Sequence, residues 1–241
     1  AAAALCDAGE AGYFEMLHVA LDHPDERARY AAIRALKGAE TCAIRPLALN
    51  ALTDASERVS SAAIDAFALI ANQQDLPVLR AALASPYESV RLMAAESLAS
   101  FGDSSFVTTV ENALTSTNPA IRRRAAQILG EFGSVNRAFS ILPLLADSTS
   151  AVQRSALDAL VRLRDEASAE AIEDLLTSDR RDIIQAATNA LLSLRGDAAL
   201  SALSTAFESD KTYTRLYAAG AILKLQNSPD TQGEMDRKRP N

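Results

Sequence analysis

Apolar residues along this chain recur three and four positions apart rather than alternating. Leu79, Ala82 and Leu83, or Ile172, Leu175 and Leu176, make the stripe of one short helix. Val90, Ala94 and Leu98 make that of a second. The whole pattern then returns every 31 residues. Ala31-Ala32-Ile33-Arg34-Ala35-Leu36 becomes Ala62-Ala63-Ile64-Asp65-Ala66-Phe67, and the series runs on to Tyr217-Ala218-Ala219-Gly220-Ala221-Ile222. Its second residue is alanine all seven times: Ala32, Ala63, Ala94, Ala125, Ala156, Ala187 and Ala218. Three more columns hold the same register. They are Leu21, Leu52, Leu83, Leu114, Leu145, Leu176 and Phe207; Ala28, Val59, Val90, Ile121, Val152, Ile183 and Thr214; and His23, Asp54, Ser85, Ser116, Asp147, Ser178 and Ser209.

Each unit therefore reads as two short helices. The polar column stops the first helix and caps the turn into the second. Glycine closes the second in several units (Gly102, Gly133, Gly196). The alanine column has a packing reason, because a small side chain lets neighbouring helix axes approach to roughly 8–10 Å. Leu5 lies 31 residues before Leu36, so residues 1–6 read as the end of a truncated eighth unit. The opening Ala1-Ala2-Ala3-Ala4-Leu5 carries neither a starting Met nor a cap, as expected of a chain whose own start is missing.

Composition agrees with helices. Of 241 residues, 49 are alanine, while Gly and Pro together supply only 17, too few breakers for a disordered or collagen-like chain. No apolar run approaches the roughly 18 residues of a membrane span. The net charge of −7 leaves no footprint for phosphate backbones, so no nucleic-acid partner is expected. Cys6 and Cys42 lack paired spacing and read as small buried side chains, consistent with a cytoplasmic protein. Two histidines cannot build a multi-histidine metal site, and glycine-rich phosphate loops and nucleophile elbows are absent. No catalytic residue, metal or cofactor is expected. Asp165-Glu166 and Glu173-Asp174 read as helix-start charges.

Ser85-Pro86-Tyr87-Glu88-Ser89-Val90-Arg91, running on through Ala94-Ala95 and Leu98 to Phe101-Gly102, resembles the HEAT repeat. It is most similar to the short form of phycobilisome (bilin) lyase subunits. Asn118-Pro119-Ala120-Ile121-Arg122 through Gly133 follows the same scheme. The resemblance implies an all-α, right-handed α-α superhelix of seven helical hairpins over residues 1–225. It also implies that the arginine after the apolar residue (Arg29, Arg91, Arg122, Arg215) ties neighbouring turns through carboxylates. Ser60, Gln153 and Ile184 depart from that, so their units are expected to be looser or re-paired. Deoxyhypusine hydroxylases share the repeat but hold iron with His-Glu pairs; here His18 precedes Val19 and His23 precedes Pro24, which excludes that enzyme.

In such solenoids the second helices line the concave face, and their positions outside the core form the binding surface. The expected surface comprises Tyr30, Arg34, Asp65, Leu92, Glu96, Arg123, Gln127, Arg154, Asp158, Gln185 and Asn189. Of Arg122-Arg123-Arg124, the middle one is the freest to meet a carboxylate or phosphate. The expected function is a non-catalytic scaffold holding a protein or peptide, rather than a small molecule, on that face. The alternative is a subunit of a lyase or other modifying enzyme. Residues 226–241 lack Leu, Ile, Val and Phe and read as a disordered polar tail.

Overall fold

The computed structural model describes residues 11–36 and 41–226. The truncated unit, Cys6, the side chain of Cys42 and the tail from residue 227 lie outside the described residues. Within them the fold is an all-α solenoid of helical hairpins with no strand. The helices are α1 (Ala11–Leu21), α2 (Glu26–Leu36), α3 (Thr41–Ala51), α4 (Glu57–Ala68), α5 (Leu76–Ala82), α6 (Glu88–Ser100) and α7 (Phe106–Ala113). They continue as α8 (Pro119–Phe132), α9 (Ala138–Ile141), α10 (Ser150–Leu163), α11 (Ala169–Glu173), α12 (Arg181–Leu194), α13 (Gly196–Phe207) and α14 (Thr212–Gln226). None is long and apolar enough to cross a membrane.

Contacts divide the molecule into two compact units, parted between Ala113 and Leu114. In the first, the second helices α2, α4 and α6 pack side by side, backed by α1, α3 and α5. In the second, α8, α10, α12 and α14 do the same, backed by α9, α11 and α13. Every member of the alanine column is buried. One close approach in the second unit is made by a glycine. A Cβ on Gly130 of α8 would stand 2.6 Å from Ala159 Cα of α10, so only hydrogen fits there. Arg164, with φ 55° and ψ 40°, occupies the register of Gly102 in the left-handed region where glycine is favoured. Gly196 does not close α12. It opens α13, after an Arg195 that itself has φ 59°.

The polar column caps all seven hairpin turns. His23 Nδ1, Asp54 Oδ1, Ser85 Oγ, Ser116 Oγ, Asp147 Oδ1, Ser178 Oγ and Ser209 Oγ each accept the backbone N–H two residues on, at 2.7–3.3 Å. Where the column holds aspartate, a guanidinium from the preceding hairpin joins it. Arg29 donates Nε and Nη2 to Asp54 at 2.7 and 3.0 Å, and Arg122 does so to Asp147 at 2.6 and 2.9 Å. The remaining Nη1 of each arginine holds carbonyls of its own turn, those of His23 and Pro24 or of Ser116 and Thr117. The hydrogen bonds from Arg122 hold the Asp147 carboxyl below its ordinary range, against the opposing pull of burial. Burial pushes Asp54 upward more strongly, yet Arg29 and the Ser56 N–H together leave it lowered as well.

Units that lack the arginine are re-paired with a donor from one shared position, the residue just before the next hairpin's second helix, alongside local bonds. The Tyr87 hydroxyl donates to Ala55 O beyond Ser60's helix start, at 2.5 Å. Gln153 reaches Leu145 O at 2.7 Å and accepts from Arg180 Nη2 at 2.7 Å. Behind Ile184, Lys211 Nζ holds the carbonyls of Thr177 and Ser178 and the Asp179 carboxylate, while Thr214 Oγ1 donates to Leu176 O. After Arg29, Arg91 and Arg122 the same position holds the shorter Ser56, Asn118 and Thr149.

Candidate functional site

The three consecutive arginines of α8 diverge, as steps of about 100° around a helix require. Asn118 caps this helix, its side chain accepting from Ala120 N–H at 2.9 Å, and Pro119 takes the first position. That start directs Arg122 to the loop edge, where Asp147 holds it. Arg124 Nη1 lies 3.3 Å from Gln127 Oε1. Arg123 is exposed and turns into a groove of about 420 Å³ across α8, α10 and α12.

Arg123 and Gln127 form one wall of this groove, Arg154 and Asp158 cross its middle, and Asn189 and Ser193 form the other wall. Ala151, Ser155, Ala186 and Ala190 line its recessed parts. Ser155 and Ala186 are small where the flanking units carry Arg124 and Tyr217 in the same register, and that change of size opens the recess. Arg123, Arg154 and Asp158 have no hydrogen-bond or ion-pair partner among the described residues. Two guanidiniums thus share a groove with one carboxylate. The chemistry offered is anion recognition beside a single cation acceptor, with amide and hydroxyl groups of mixed polarity around them.

The structure brings five of the expected surface residues together here: Arg123, Gln127, Arg154, Asp158 and Asn189. Gln185 is exposed on α12 and does not line the groove. In the first unit the corresponding side chains are engaged within the protein. The Tyr30 ring lies beneath the Arg58 guanidinium at 3.9 Å, with Arg34 at 6.0 Å. Asp65 and Glu96 are half-buried and have interactions of their own. Leu92 corrects the expectation: at 2% exposure it is no surface residue. It lines a narrow cleft with Leu83, Arg91 and Thr109, since an apolar side chain in a polar column takes the apolar neighbour within reach. Sequence reasoning passed over Ser155, Ala186 and Ser193, although the small residues in a column of large ones were a usable signal. Among the described residues no three His, Cys, Asp or Glu side chains gather as metal ligands.

Known proteins place this architecture. No protein of curated function matches the sequence. Among solved structures, YibA of Escherichia coli superposes with a TM-score of 0.66 at 19% identity, over 94% of this chain and 86% of that one. The likeness is one of fold. The complex of CpcE and CpcF of phycocyanin lyase from a Nostoc species gives 0.49 at 22% identity, over 92% of each chain. Human deoxyhypusine hydroxylase gives 0.45 at 18%, over 94% of this chain and 89% of that one. The family model described as HEAT repeats matches residues 14–89 and 77–149, more than half of the chain. With its 31-residue hairpins, capped turns and arginine–aspartate ties, the chain belongs to the HEAT-repeat family.

Proposed function

We propose that this protein is an interaction scaffold that holds a segment of a partner protein in the groove across α8, α10 and α12. One observation carries the reading: Arg123, Arg154 and Asp158 line one recess with no hydrogen-bond or ion-pair partner among the described residues. Several arginines elsewhere, Arg29, Arg45, Arg80 and Arg122 among them, hold carboxylates. Two like charges on adjacent helices repel each other, and an arriving anionic group relieves that repulsion. Small residues beneath them leave room for the ligand's main chain.

The test is capture of partners from cell extract by the wild type and by the Arg123→Glu/Arg154→Glu variant, with thermal melts confirming that both are folded. Partners lost only on charge reversal support the groove as the binding surface. Retention of every partner by the variant contradicts it.

A further inference from the structure

The groove's charges are ordered along α10, and that order specifies a ligand. We infer that the groove selects an extended peptide segment carrying an acidic side chain and, two residues away, a basic one. This rests on the reading of the groove as a peptide site.

Arg154 and Asp158 lie four residues apart on α10, about 6 Å along its axis. Alternate side chains of an extended chain point the same way about 6.6 Å apart. An acidic side chain between Arg123 and Arg154 therefore places the residue two positions on beside Asp158. There a lysine or arginine completes the only carboxylate among the residues lining the groove. Arg123, reaching in from α8, gives the acidic group a second guanidinium.

Extended rather than helical form is set by the walls. Gln127 and Asn189 flank Asp158 in the same register, one on each neighbouring helix, and both line the groove. Their amides carry donors and acceptors, which an extended main chain can use and a helix, with its own backbone already paired, cannot. A purely acidic segment would bring a second negative charge against Asp158. A purely basic one would meet two guanidiniums.

The test is selection of displayed random heptapeptides on the full chain, counter-selected against the Arg123→Glu/Arg154→Glu variant. The expected result is at least tenfold enrichment of acidic-x-basic spacing among groove-dependent peptides. Repeating the selection on Asp158→Lys, a variant that leaves both arginines in place, should move the preference to acidic-x-acidic. Groove-dependent peptides without that spacing, or with a preference unchanged in Asp158→Lys, overturn this inference and leave the scaffold reading standing. Absence of any groove-dependent peptide overturns both.

Discussion

The loop edge of the stack and the face of α8, α10 and α12 both present polar side chains, and the two differ in whether those side chains are satisfied. At the edge, every cap in the polar column has its backbone N–H, and each missing arginine is replaced by a donor from the next hairpin. On the groove face, Arg123, Arg154 and Asp158 have no hydrogen-bond or ion-pair partner among the described residues. Arg122 and Arg123 are neighbours in sequence and fall on opposite sides of this divide. Residue type alone therefore does not separate structural from functional charge in a repeat protein. The division we propose is one of satisfaction, in which a paired charge stabilises the stack whereas an unpaired one keeps its capacity to bind.

The largest effect should come from disturbing the packing that underlies both regions. Gly130→Val sets a branched side chain against Ala159, and overpacking of this kind costs about 2–3 kcal/mol. Chemical denaturation should show that loss, and groove-dependent binding should weaken with it as α8 moves from α10. Asp147→Ala removes a carboxylate that holds both Arg122 and the Thr149 N–H. We expect the melting temperature to fall by several degrees with binding retained. A melt equal to wild type would mean that the edge contributes nothing to stability.

Acid separates the two regions more gently. Asp103 is held at about 2 by the Ser105 hydroxyl and N–H and by Arg80, and Asp54 and Asp147 are also lowered. A carboxyl depressed by folding stabilises fully above its unfolded value near 3.8, and that contribution fades as pH falls toward the folded value. Melting temperature should therefore hold between pH 7 and pH 5 as far as these groups determine it, and drop below pH 4. The drop should be shallower in Asp147→Asn, and an unchanged slope would contradict the assignment. The smallest effect is expected at Arg164, whose left-handed φ favours glycine; Arg164→Gly should stabilise by about 1 kcal/mol or less in denaturant melts.

Much of the fold was legible because the repeat fixes it. A 31-residue period, an alanine column and a capping column give hairpins, their packing and their turns with no long-range information. The re-pairing of Ser60, Gln153 and Ile184 was foreseeable only as a need. Tyr87, Arg180 and Lys211 share a column but no chemistry beyond a long side chain that ends in a donor. Gly130 was equally hidden, since a glycine inside a helix signals close approach only once its neighbour is known. Of the surface, Arg123, Gln127, Arg154, Asp158 and Asn189 converge, while Gln185 lies outside the groove and Leu92 does not belong. Burial at that position depends on what each unit places beside it, here Leu83 and Thr109, and periodicity carries no such information.

If adjacent arginines of α8 divide structure from binding, thermal melts of Arg122→Ala and Arg123→Ala, run side by side, must differ. We expect a clear fall in melting temperature for Arg122→Ala, which loses its aspartate. Arg123→Ala should melt within about a degree of wild type, as an exposed residue with no partner among the described residues does. An equal fall in both, or a fall confined to Arg123→Ala, would refute the division.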